Sequence, residues 1–146
     1  MNMATRRGRS AALSQSDYER LAAFRHLLRR FLVFSQDAAE KSGLTAQQHQ
    51  ALLAIKGFPG RDFVTTGELA ERLCIRHHSA VGMVDRLEIK ELVVRRIGGI
   101  DRRQVLVQLT PAAEGILMGL SLAHKAEIER LSPLLGAALA ELSDSP

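Results

Sequence analysis

The sequence predicts a mainly α fold with one small β-hairpin, on three observations. Apolar residues recur at helical spacing near both ends of the chain; two short helical patterns separated by Cys74-Ile75-Arg76 occupy the middle; and two β-branched segments flank Gly98, Gly99 and Asp101. The 146 residues fit one domain, and 46% hydrophobic residues are enough to form a core.

Between Asp17 and about Lys41, Leu21, Phe24, Leu28 and Phe31 follow the period of one helix face, which Leu27, Leu32 and Phe34 broaden. So wide an apolar surface exceeds what a small domain covers, which points to contact with a second subunit. Gly43 ends this helix. Thr45 is a favourable N-cap for a second helix to about Lys56, closed by Gly57-Phe58-Pro59-Gly60. Phe63 and Val64 predict a brief strand. A short helix from Glu68 to Leu73 follows Thr66, with Leu69, Ala70 and Leu73 on one face. Glu68 and Glu71 sit near its start, where the helix dipole favours negative charge.

The next helix, from about His77 to Lys90, turns Ala80, Met83, Val84 and Leu87 inward. His77, His78, Ser79, Gly82 and Arg86 then occupy the opposite face, with Val81 at its edge. Two short helices joined by a tight turn, the second polar outside, form a helix-turn-helix. Leu92 to Ile97 and Val105 to Leu109 read as a hairpin whose tip carries Arg95, Arg96, Arg102 and Arg103. A cationic loop in that position is a wing. Thr110 caps a further helix with Pro111 in its first turn, running to about Leu131. Pro133 is expected to break it before a short last helix. Ile116, Leu117, Leu120, Ala123, Ile128 and Leu131 match the surplus apolar face of the first helix, so the two ends are expected to pack together and against a second subunit.

The net charge is +4 with a pI near 9.8, and the arginines cluster, as suits a polyanionic partner. Cys74 is the single cysteine, which excludes an intramolecular disulfide and a multi-cysteine zinc site and fits a reducing cytosol. In the turn beside Leu73 and Ile75 it reads as a small buried residue. No secretory leader or membrane-length apolar run is legible, and residues 1–16, with Arg6, Arg7 and Arg9, read as a disordered basic tail. No Gly-rich phosphate loop, metal-ligand spacing or nucleophile motif supports an enzyme, and no cofactor is expected.

Gly67-Glu68-Leu69-Ala70-Glu71-Arg72-Leu73, then Val84-Asp85-Arg86-Leu87-Glu88, then Asp101-Arg102-Arg103 and Leu109-Thr110 appear in order. With these motifs the chain resembles the MarR family of regulators over roughly residues 44–120. The resemblance implies a winged helix-turn-helix flanked by N- and C-terminal dimerisation helices: a lobe at about 44–110, and dimerisation helices at 17–42 and 111–146, within a single domain, 17–146. It further implies a cytoplasmic homodimer on a pseudopalindromic double-stranded DNA operator, commonly a repressor released by a small aromatic or phenolic effector. By position, Ser79, Gly82 and Arg86 would lie on the major-groove helix, Arg103 where the family inserts an arginine into the minor groove, and Asp101 where a carboxylate orients that arginine. Two features depart from the pattern. Val81 and Gly82 stand where many members carry polar or basic residues, and Glu91 where a glycine commonly ends the recognition helix.

The candidate DNA-binding residues are therefore Arg76, His77, His78, Ser79, Gly82, Arg86, Arg95, Arg102 and Arg103, with Asp101 orienting the wing. Arg102 and Arg103 suit phosphates or a narrow minor groove, where negative potential meets a planar guanidinium. Of Arg95 and Arg96, strand alternation sends one to each face, so at most one meets DNA and the other pairs with an acid. Arg86 has two readings: a phosphate or guanine contact, or a helix-surface ion pair with Asp85, Glu88 or the neighbours of Lys90. Ser79 is a phosphate donor or a local cap, and His77 and His78 are nucleic-acid contacts ahead of metal ligands. Phe24, His49 and Phe58 are candidate walls of an effector pocket. A nonspecific architectural DNA binder and a winged-helix module for protein contact are the alternatives.

Overall fold

The structure, a computed structural model, describes residues 12–98 and 103–143. Asp101 and Arg102, and the tail arginines Arg6, Arg7 and Arg9, lie outside the described residues. The elements run α1 (Gln15–Lys41), α2 (Ala46–Lys56), β1 (Phe63–Thr65), α3 (Thr66–Leu73), α4 (His77–Ile89), β2 (Val93–Ile97), β3 (Val105–Leu109) and α5 (Pro111–Ser143). The three strands form an antiparallel sheet in the order β1-β3-β2, with Val64 opposite Val107 and Val93 opposite Leu109.

Reciprocal caps start three helices. At α1 the Asp17 N–H donates to Ser14 Oγ at 3.1 Å and the Ser14 N–H donates to Asp17 Oδ2 at 2.9 Å, so the helix begins at Gln15, just before the expected start at Asp17. Thr45 with Gln48 and Thr65 with Glu68 repeat the arrangement at α2 and α3. The third cap moves a boundary. α3 begins at Thr66, two residues before the expected start at Glu68, because Thr65 at the end of β1 is extended and caps it while Thr66 and Gly67 are already helical.

Three chain reversals share one hydrogen-bond pattern. Leu44 donates to the Ala39 carbonyl at 2.9 Å, Ile75 to Ala70 at 3.0 Å and Leu92 to Leu87 at 2.9 Å, each closing a Schellman turn with an apolar residue just past the helix. The residue before each is left-handed: Gly43 (φ 78°), Cys74 (φ 54°) and Glu91 (φ 58°). Glycine adopts this conformation freely, whereas a residue with a Cβ pays about 1–2 kcal/mol for it. Glu91→Gly is therefore expected to raise stability by about 0.5–1 kcal/mol, measured as a higher urea midpoint; an unchanged or lower midpoint would contradict this reading of the turn. Cys74, held in the second reversal, is exposed, which corrects the expectation of a buried thiol.

One core joins the lobe to the long helices. Leu52 and Ile55 of α2, Val64 of β1, Leu69 of α3, Val84 and Leu87 of α4, Val93 of β2, Val107 of β3 and Leu117 of α5 are all buried in it. Antiparallel packing of α1 on α5 follows from Arg20 pairing with Glu141 at one end and Ser35 meeting His124 nearer the other. The break expected at Pro133 does not occur, and α5 continues to Ser143. Leu131 before it and Ala138 after it are buried, while Glu129, whose carbonyl loses the proline's absent N–H, is on the exposed side with water to replace it. Tyr18, Leu21, Leu28 and Leu32 of α1 and Met118, Leu122, Ile128 and Leu134 of α5 remain exposed. Among the described residues no helix is long and apolar enough to cross a membrane.

Candidate nucleic-acid interface

The second helix of the helix-turn-helix is fixed from inside. Ala80, Met83, Val84 and Leu87 are buried, so α4 has one rotational setting, and that setting turns His77, His78, Ser79 and Arg86 to solvent. Arg76 is the N-cap of α4 but supplies no side-chain cap, leaving the N–H groups of the first turn without an internal acceptor from that residue. Ser79 sits in this first turn and is exposed. Val81 and Gly82 are half-buried at the edge of the outer face.

The two acids on α4 belong to the wing. Arg95 on β2 donates to Asp85 Oδ1 at 2.5 Å and to Glu88 Oε1 at 3.1 Å, clamping the hairpin against the recognition helix. Arg96, its neighbour, is exposed, as strand alternation requires. Asp85 and Glu88, considered as partners for Arg86, are thus engaged by Arg95, and among the described residues Arg86 has no ion-pair partner. Its guanidinium folds back along α4, with Nη1 3.4 Å from where a Cβ on Gly82 would stand.

At the base of the wing, Gly98 donates to the Gln104 carbonyl at 3.2 Å. A Cβ at Gly98 would meet Leu106 Cγ at 2.5 Å, so glycine permits the strands to close there. Arg103, Gln104 and Val105 line a cleft of about 330 Å³ with Thr65, Thr66, Gly67 and His77. The fold thereby brings a wing arginine, the start of α3 and the start of α4 to one place. Thr66 and Gly67 were not among the sequence candidates; their position just before an apolar helical repeat was the available signal.

The three residues considered as pocket walls have different surroundings. Phe58 lies beneath two arginines, with the Arg61 guanidinium 4.3 Å and that of Arg72 5.0 Å from its ring centroid. Arg61 also pairs with Glu68 at 2.6 Å, and although partial burial opposes it, this pairing with the Thr65 N–H holds the Glu68 carboxyl below its ordinary value. His49 is buried on α2 against His124 of α5, and Phe24 is half-buried on α1.

A helix-turn-helix whose second helix is exposed along one polar face, followed by a basic two-stranded wing, defines a winged helix-turn-helix protein. Residues 42–104 match the MarR family model. Over 68 residues the chain is 31% identical to the HTH-type transcriptional regulator MhqR of Bacillus subtilis (strain 168), a match covering 47% of each protein, so it spans about half the length of that relative. The fold is that of AbsC, a MarR family transcriptional regulator from Streptomyces coelicolor, with a TM-score of 0.72 and 20% identity over 90% of this chain and 89% of that one. The same holds for a mutant of MepR from S. aureus bound to an oligodeoxyribonucleotide, with a TM-score of 0.65 and 19% identity over 86% and 97% of the two chains. The matched segment is therefore similar to the MarR family over the helix-turn-helix and the wing, and the fold is the one these regulators share.

Proposed function

We propose that the chain is a sequence-specific double-stranded DNA-binding regulator acting in the cytoplasm as a homodimer, and that it is a repressor relieved by a small aromatic or phenolic ligand. The observation that carries this reading is the outer face of α4. His77, His78, Ser79 and Arg86 are exposed along it, while its acids are occupied by Arg95 and do not oppose a polyanion unshielded. Arg76, the N-cap of α4, and Arg103, which lines a cleft with His77, add to the basic surface, and Asp101 and Arg102 are assigned to the same interface by sequence position alone. MepR, seen with an oligodeoxyribonucleotide, supports the nucleic-acid partner. BpsR of Bordetella bronchiseptica, whose DNA binding is regulated by 6-hydroxynicotinic acid, supports the effector class.

The exposed apolar faces of α1 and α5 support the dimer, since a monomer would leave Leu28, Leu32, Met118 and Leu122 in water. With two-fold symmetry the recognition helices enter successive major grooves about 34–36 Å apart. An effector then works by preferring a spacing of the two lobes that does not match the grooves. Selection from a random duplex library, with sedimentation of the free protein, tests this: the expected result is a dimer and a site with two-fold symmetry at that spacing. A monomer, or selected sequences without symmetry, would contradict it.

Gly82 lets the backbone of α4 approach the groove. Gly82→Ala is expected to raise stability by about 1 kcal/mol, because alanine is the better helix former and the flexible end of Arg86 yields to it, and to weaken binding to the selected site. A more stable variant with unchanged affinity would remove the close-approach role.

A further inference from the structure

A cluster of rings joins the DNA-binding lobe to the long helices. The His124 ring of α5 stands edge-on to Phe31 and Phe34 of α1, with centroids 5.8 Å and 5.3 Å away, and lies 4.7 Å from the His49 ring of α2. His124 is fixed at both nitrogens: Nδ1 is 2.7 Å from the Leu120 carbonyl, to which it donates, and Nε2 is 2.8 Å from Ser35 Oγ. His49 is different. Only 3% of it is exposed, and among the described residues its Nδ1 has no hydrogen-bond partner.

We propose that His49 and His124 form a proton-responsive joint between α2 and the α1–α5 pair, in which the neutral rings seat the helices and a proton taken up by His49 unseats them. The protonated imidazole requires an acceptor at both nitrogens. At Nδ1 the surroundings supply none, and the cation would stand against a second histidine ring in a buried, apolar setting. The ring contact between α2 and α5 is the one that weakens.

The charges around the joint do not offset this. From α5, His124 faces His49; α1 contributes Phe31, Phe34 and Ser35 to the same cluster, and its Arg30 and Asp37 stand in solvent on the outer side of Phe34 in a cleft with Glu127 and Arg130. One turn along α5, Glu127 is committed to Arg130, and at the far end of α2 Lys56 is committed to Glu114. On α3, Glu68 pairs with Arg61, while β1 and β3 carry no ionisable side chain. Burial first, and then His124, lower the pKa of His49 from its ordinary 6.5. The neutral His49 therefore supports the joint in full above about pH 6.5, and that support is lost as pH falls below this value through the lowered native pKa.

The joint rests on the fold alone, so it is tested on the free full-length protein without DNA. Hydrogen–deuterium exchange, corrected for intrinsic rates, is compared at about pH 7.5 and about pH 5.5 for the wild type, His49→Gln and His124→Gln. In the wild type, peptides covering α2 and the His124 turn of α5 are expected to exchange up to about tenfold faster at the lower pH, the most that one unit of pH below the ordinary 6.5 can produce. His49→Gln, which removes the titrating ring, is expected to show less than about a twofold change, and His124→Gln, which keeps the burial of His49 but removes the second ring, a change smaller than that of the wild type. Wild-type protection that does not fall with pH, or that falls equally in His49→Gln, would overturn the proposal. Should a variant fail to fold, nitrogen NMR of the wild-type imidazoles gives the answer: titration of His49 below 6.5 and sensed by His124 supports the joint, and titration at or above 6.5 overturns it.

Discussion

Leu52→Ala is expected to lower the unfolding free energy by about 2–5 kcal/mol, the largest stability effect the fold predicts for a single substitution of this kind. Leu52 is fully buried on α2, the helix that packs on α1, α3, α5 and both β1 and β3. Removing its side chain leaves a void that those elements cannot all close at once, because they are tied to one another through Leu69, Val84, Val107 and Leu117 in the same core. Urea unfolding followed by circular dichroism reads the loss as a lower midpoint at unchanged slope. A change below about 1 kcal/mol would mean that α2 is not the hub of the core.

The second large effect is on binding. Arg103→Ala is expected to weaken affinity for the selected duplex by about 1–3 kcal/mol, roughly five- to more than a hundredfold, while leaving the unfolding midpoint nearly unchanged because Arg103 is exposed. If the guanidinium meets a phosphate, the slope of log affinity against log salt also falls by about one. If it enters a narrow minor groove, the loss concentrates on A·T-rich flanks. Equal affinity of variant and wild type on every duplex would remove the wing from the interface.

The helices were legible in the sequence because their cause is periodic and local. Thr45 and Thr110 announce helix starts, and Ala80, Met83, Val84 and Leu87 set the inward face of α4 without any knowledge of what covers it. Turns were less legible where the residue that favours them is missing. Cys74 and Glu91 take the left-handed conformation that Gly43 takes freely, and the Schellman bonds to Ala70 and Leu87, with Ile75 and Leu92 packed behind and Thr110 Oγ1 donating to the Glu91 carbonyl at 2.8 Å, hold them there. Pro133 misled for the same kind of reason: its local cost is real, and the packing of Leu131 and Ala138 on both sides outweighs it.

The candidate site divides along the same line. Which residues lie on the outer face of α4 follows from its period, but which arginine takes Asp85 and Glu88 depends on where β2 lands. The hairpin delivers Arg95 to them and leaves Arg86 beside Gly82. The meeting of His49 with His124 has no local signal at all, since the two lie on helices brought together only by the packing of α2 on α5. Tertiary pairing, and not secondary structure, is what the sequence withheld.

Fluorescence anisotropy of the purified protein on the duplex upstream of its own gene and on random duplex, across a range of salt, reads sequence-specific DNA binding without an intermediary. Binding is expected to prefer one site by about a thousandfold or more over random duplex and to weaken steeply as salt rises. Absence of binding to either duplex, even at low salt, would contradict it and assign the basic wing and the outer face of α4 to an acidic protein partner.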